Sequence, residues 1–383
     1  MDEAALEGLL ARPDLDVRVG YEQALEKACN RKRLAAVQRL IWALMNSSVP
    51  GDEVAEAVER VLPSALRSAR PVTLEVVKCL LGVPGVNVNV GDGALLKAAA
   101  KCGHEKVVAL LMDRPEFEVG YGGKAALHKA CAYGRRFVVE TLLDTGLAKS
   151  LRGDAAAQAA AEALPAAITA TNPLYYETVD RLLAVPGVDP NADGGLALKT
   201  ACERGKLEAL DALLDFPLID VNADRFVTFE WLGETNCKHA RVGEVLQCLL
   251  ARPDIDLNAH ALTAICSRGR FKSLLSLVLK DPRFDAGAGG NPAALEVACG
   301  AVEGSNDLVA IVKELLGVPG HRFDVTAALV AACREGQGKA ATILLDVGAA
   351  DVHAPGVSEV LGELEARGAN RGVVRLLKKA RRA

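Results

Sequence analysis

The sequence predicts an all-α solenoid of stacked helix–turn–helix repeats. Three observations carry that reading. A Leu-Leu pair, or a close variant, returns with a period of about 33 residues. A block of small residues at helical spacing lies upstream of most pairs, and a proline often stands just beyond them.

Composition agrees with thin helical layers rather than a thick core. Half of the 383 residues are hydrophobic, but only 4% are aromatic, so the apolar content is mainly Ala, Leu and Val. The formal charge is −4, which argues against generic nucleic-acid binding by the chain as a whole. Hydrophobic content is too high for disorder, and no apolar run approaches the roughly 18 residues of a membrane span. The opening MDEAALEGLLARPD is acidic and lacks a basic stretch followed by an apolar one, so a secretory signal is not expected there.

The twelve anchors end at Leu10, Ile41, Leu81, Leu111, Leu143, Leu183, Leu214, Leu250, Leu279, Leu316, Leu345 and Leu377. They run from end to end without a linker, so one continuous array over residues 1–383 is expected. Upstream of the anchors the pattern Leu-x-x-Ala-Cys recurs, as Leu25 with Cys29, Leu127 with Cys131 and Leu198 with Cys202. Its spacing puts the three residues on one helical face, where small side chains let a neighbouring helix come close. Gly103, Gly134, Gly205, Gly269 and Gly336 follow as left-handed helix ends. A second apolar run, expected to be the longer helix, leads to the anchor. Prolines such as Pro84, Pro186 and Pro253 then stop it. A lone helix pair cannot bury its apolar face, so stacking supplies the core.

These units resemble ankyrin repeats. Residues 122–146, GGKAALHKACAYGRRFVVETLLDTG, and residues 93–111, GALLKAAAKCGHEKVVALL, follow the family pattern closely. The resemblance spans nearly the whole chain and implies an ankyrin-like solenoid of about eleven units. Three departures are visible. The Thr-Pro of the family's TPLH motif is missing throughout, so helix starts need other caps, with Asn291-Pro292 and Thr326 as candidates. The hairpin fingers are short, with Asn89 close to Leu96. The spans 52–73, 152–175 and 225–244, and Gly300 to Asp307, are irregular. The first two carry the similar segments VLPSALRSARP and ALPAAITATNP and are expected to lengthen the turn between helices.

Chemistry-bearing residues point to no reaction. Six of ten cysteines (Cys29, Cys131, Cys202, Cys266, Cys299 and Cys333) share one repeat position, which reads as a small buried hydrophobe. Cys102 and Cys237 lie off the pattern and are expected to be more exposed. There is no CxxC and no Cys/His pair at zinc spacing. No nucleophile elbow, HExxH or phosphate loop is present. His128, at the motif position, reads as structural. We therefore expect no catalytic residue, no metal and no cofactor.

Binding positions are more informative. By the resemblance, the residues after the Ala-Cys pair face the concave groove, which selects Arg31, Lys101, Tyr133, Arg204 and Arg268. From Ala366 onward there are seven basic residues and no acid. Val373, Val374, Leu376 and Leu377 make this a capping helix over about 367–382, with Arg371, Arg375, Lys378 and Lys379 as candidate contacts. The expected function is a non-enzymatic scaffold or adaptor that binds a protein partner through the concave face, in the cytoplasm or nucleus. The alternative is a structural subunit of a ribonucleoprotein or other large assembly, anchored to nucleic acid or an anionic surface by the basic helix.

Overall fold

The computed structural model describes residues 20–31, 33–47, 49–66, 73–117, 122–147, 154–223, 241–257, 266, 272–285, 293–300, 306–320 and 323–382. The chain divides into two compact units, Met1–Ala192 and Asp193–Ala383, considered one at a time below. Among the described residues every regular element is a helix.

The first unit holds α1 (Tyr21–Asn30), α2 (Leu34–Met45), α3 (Gly51–Ala65), α4 (Thr73–Leu81), α5 (Val90–Cys102), α6 (Glu105–Met112), α7 (Gly123–Ala132), α8 (Arg136–Thr141), α9 (Asp154–Thr169) and α10 (Tyr175–Leu183). Each odd-numbered helix packs on the even-numbered helix that follows it. The odd helices pack on one another in sequence, and so do the even ones. The result is a two-layer stack. Leu127, Ala130 and Leu142 are fully buried and Leu143 nearly so, as the repeat frame requires. Burying one such leucine contributes about 2–3 kcal/mol. Only the stack provides that burial, because α7 lies between α5 and α9.

The second unit holds α11 (Ala192–Arg204), α12 (Leu207–Leu214), α13 (Val242–Leu250), α14 (Lys272–Leu279), α15 (Ala294–Gly300), α16 (Asn306–Leu316), α17 (Val325–Arg334), α18 (Gly338–Asp346), α19 (Pro355–Arg367) and α20 (Arg371–Ala380). The second-layer helices α12, α13, α14, α16, α18 and α20 pack in sequence, and α15, α17 and α19 form the first layer over the last three.

Several expectations change at this level. The second helix of a pair is not consistently the longer: α7 has ten residues and α8 six. Proline or the Leu-Leu anchor closes the second helix soon after its Gly turn. After α8 the chain continues as a π turn, Leu142–Leu147. The spans around Pro63 and Pro165 lengthen the turn, which is residues 170–174 after α9 but only Gly103 and His104 after α5, and they have a second effect. They extend the first helix, giving α3 and α9 fifteen and sixteen residues with proline in the C-terminal part. Ala57, Val58, Val61 and Leu62 of α3 and Ala160, Ala163, Leu164 and Ala167 of α9 are buried, so added core compensates for the hydrogen bond that each proline removes.

Caps also differ from expectation. Asp324, not Thr326, caps α17: its carboxylate accepts the Ala327 N–H at 2.8 Å. Thr326 lies inside the helix, and its hydroxyl accepts the Asp351 N–H at 3.0 Å. The Asn291-Pro292 cap, Gly269 and Cys237 lie outside the described residues, as do most of 225–244 and residues 301–305. Gly103, Gly134, Gly205 and Gly336 have φ between 61° and 82°, the left-handed end expected of them.

At the short fingers, residues 91–93 and 193–195 each make a left-handed helical turn. Asp92 and Asp193 both have φ 53°. Left-handed backbone is costly for residues other than glycine and rarely runs on. Glycines on either side of Asp92, and after Asp193, make these turns feasible.

Candidate functional site

The described residues of the predicted column, Arg31, Lys101, Tyr133 and Arg204, lie at the C-terminal ends of first-layer helices within their own units. Arg31 and Tyr133 occupy the same place, one residue past α1 and α7, and their N–H groups donate to Lys27 and Lys129 carbonyls. Both side chains are exposed. Lys101, in the last turn of α5, is brought to the next repeat: its ammonium lies 5.3 Å from the centroid of the Tyr133 ring. Tyr133 is half exposed. Arg31 lies in the same unit, with α3 between its repeat and that of Lys101. Arg204 is exposed at the end of α11 in the second unit. Arg268 lies outside the described residues.

A second group holds this edge in place. Arg135, just past the Gly134 turn, donates from Nε to the Lys101 carbonyl at 3.1 Å. Its side chain crosses Gly103, where an added Cβ would meet Arg135 Cδ at 2.8 Å. His104 and Asn172 make equivalent links to the preceding repeat. His104 Nε2 lies 2.9 Å from the Leu66 carbonyl, and Asn172 Nδ2 donates to the Gly134 carbonyl at 3.1 Å. Four successive repeats are therefore stitched by three links along their turns. Arg135 was missed by the column argument. The signal for it was its place: it follows a Gly turn, where His104 follows Gly103.

Apolar surface borders this basic edge. Phe137 and Leu174 rank with Tyr133 among the exposed large hydrophobic residues of the first unit. Arg136 lies 5.7 Å from the Phe137 ring centroid and is tied to Glu140 and Glu177. Exposed aromatic rings beside guanidinium groups are typical of interface hot spots. His128, expected to be structural, is exposed on α7, the helix that Tyr133 follows.

Other arginines are committed to structure. Arg114 Nη2 donates to the Leu81 carbonyl at 2.8 Å, Arg252 Nη1 to Leu214 at 2.7 Å, and Arg283 Nη2 to Leu250 at 2.6 Å. Each reaches the last carbonyls of the preceding second-layer helix, where the helix dipole is negative. Arg252 also holds both oxygens of Asp254, and Arg283 both oxygens of Asp281. These hydrogen bonds pull both carboxyls below the ordinary Asp range.

The repeat cysteines Cys29, Cys131, Cys202, Cys266, Cys299 and Cys333 are all buried. Burial raises the Cys333 thiol to about 11 and the Cys299 thiol to about 12, and raises those of Cys131 and Cys266 as well. Cys102 is only partly exposed, like Cys79 and Cys248. Among the described residues no group of His, Cys, Asp and Glu side chains is arranged to hold a metal, and no helix is long and apolar enough to cross a membrane.

On α20, Arg371, Arg375, Lys378 and Lys379 are exposed, while Val373 and Leu377 are buried. Lys378 is paired with Glu365 of α19. Arg381, one of the seven cations, is used internally: it donates to the Val352 carbonyl at 2.9 Å and to the Ser358 hydroxyl at 2.7 Å.

Residues 67–152 match the family model of ankyrin repeats, in three copies. Comparison with curated proteins gives no match.

Proposed function

We propose, for a chain whose residues 67–152 are ankyrin repeats, a non-enzymatic adaptor that binds a protein partner through the concave face of an ankyrin-like array. Ankyrin repeats are in general modules for protein–protein interaction. The observation that carries the reading here is the paired, exposed Lys101 and Tyr133 in adjacent repeats, bordered by Arg135 and Phe137. An aromatic ring already held on one face loses little freedom on binding, and its exposed area can pack against a partner. Arg31, Arg204 and Arg268 extend the proposed contact column. The proposal includes one uninterrupted array from residue 1 to 383 and a place in the cytoplasm or nucleus.

Site-specific photocrosslinking tests the contact face. A crosslinker at Tyr133 should capture a partner that one at Lys106, exposed on second-layer α6, does not. Capture from Lys106 alone would move the interface to the other layer and refute the reading.

A further inference from the structure

The sequence pattern of α20 departs from that of the helix before it in one way that bears on binding. Aligning the buried pair Ala340 and Leu344 of α18 with Val373 and Leu377 of α20 sets Gly338, Thr342 and Leu345 against Arg371, Arg375 and Lys378. In α18 these three positions are half-buried, and Gly338 lies beside Val373 of α20: a Cβ built on it would sit 3.8 Å from Val373 Cγ2. This is the face on which α18 receives the next helix. On α20 the matching face carries three cations, all exposed, with Lys379 beside them.

An apolar helix docking there would strip water from those cations without replacing it, a desolvation that nothing in an apolar face offsets. Whatever covers the face must bring anions. One position already shows the preferred form, since Lys378 is paired with a carboxylate, Glu365. The side chains of Arg371, Arg375 and Lys379 make no ion pair or hydrogen bond with any described residue.

The surroundings decide which anion. Single-stranded nucleic acid is held by aromatic platforms beside basic residues, and surface-bound amphipathic helices need an apolar face to insert. None of the exposed large hydrophobic residues lies on α19 or α20. Glu359 and Glu365, exposed on α19, would also repel a continuous polyanion, whereas a protein segment can place neutral or basic residues opposite them.

We propose that the Arg371, Arg375, Lys378 and Lys379 face of α20 docks an acidic helical segment of a partner protein, seated on α20 as α20 is seated on α18. The cations at i, i+4 and i+7 match carboxylates at the same spacing on a facing helix. This surface is separate from the Tyr133 column and does not rest on it.

The test uses the full chain and a labelled alanine-based helical peptide with Glu at i, i+4 and i+7, read by fluorescence anisotropy. Poly(U) RNA and phosphatidylserine-containing vesicles serve as competing probes. Combining Arg371→Glu with Arg375→Glu should weaken peptide binding about tenfold or more, with far-UV circular dichroism unchanged. A peptide with Lys in place of Glu should then bind the variant better than it binds wild type. If the reversed pair unfolds, Arg371→Gln with Arg375→Gln must still weaken the Glu peptide. Unchanged affinity in the folded variants would overturn the proposal, and so would tighter binding of poly(U) or vesicles than of the peptide.

Discussion

Lys101 places its ammonium 5.3 Å from the ring centroid of Tyr133, across a repeat boundary, while its own carbonyl accepts a hydrogen bond from Arg135 of that next repeat. One residue thus joins two repeats through both side chain and backbone. At an exposed site a cation–π pair contributes about 0.5–1 kcal/mol. A double-mutant cycle of Lys101→Ala and Tyr133→Ala, followed by urea unfolding, should return a coupling of that size. Tyr133→Phe should keep it, because the ring and not the hydroxyl faces the ammonium.

Gly122 and Gly20 give a controlled comparison. Both precede a first-layer helix with nearly equal φ, 78° and 77°. Among the described residues a Cβ at Gly20 meets nothing within 4 Å, but one at Gly122 would lie 2.5 Å from the Asp92 carbonyl oxygen. Gly20→Ala should cost about 1–2 kcal/mol, the left-handed penalty alone. Gly122→Ala should cost about 1–3 kcal/mol more, because the left-handed turn at 91–93 must move. Equal losses in chemical denaturation would show that the two repeats do not meet there.

Arg283 links Asp281 to the Leu250 carbonyl. Arg283→Ala should destabilise by about 1.5–3 kcal/mol, the range for hydrogen bonds to charged groups. Arg283→Lys should recover only part of that, since a point ammonium cannot span both Asp281 oxygens and a carbonyl. The folded Asp281 pKa is lowered by this arginine. Its contribution is therefore present above the unfolded carboxylate value and fades as pH falls through the folded one. Acid should narrow the stability difference between wild type and Arg283→Ala.

The buried thiols predict alkaline sensitivity. Cys333 and Cys299 ionise at about 11 and about 12 in the folded chain, against 9.0 for a free thiol. Because the folded values are raised, their stabilising effect is complete below pH 9 and is lost as pH climbs toward the folded values. Each such thiol should lower stability by about 1.4 kcal/mol per pH unit in that window. Urea unfolding between pH 8 and 10 should show the decline, and Cys333→Ala should make it shallower by one thiol's share.

Cys131→Ala should cost little, because Ala100 fills the same place one repeat earlier and is equally buried. Cys131→Arg should unfold the neighbouring repeats, since a cation would be forced among Leu127, Ala130 and Leu142. A melting scan distinguishes the two variants from wild type.

Periodicity was enough to identify the helix pairs, their buried Leu, Ala and Cys positions and the left-handed glycines, because every repeat must meet the same packing demand and repeats the same answer. Small residues at i, i+3 and i+4 can serve only one purpose when a second helix must approach closely. Tertiary packing decided what one repeat does to the next. The extra residues around Pro63 and Pro165 became helix because neighbouring helices offered apolar surface to cover them. Asp324 rather than Thr326 took the cap because its carboxylate reaches the Ala327 N–H, while the Thr326 hydroxyl is engaged by Asp351. Of the expected contact column, only Lys101 and Tyr133 meet among the described residues. Such contacts join residues some thirty to forty positions apart, and local pattern carries no record of which long side chain crosses that gap. Arg135, Arg252 and Arg283 became structural clamps because a helix end in the preceding repeat left a carbonyl within reach.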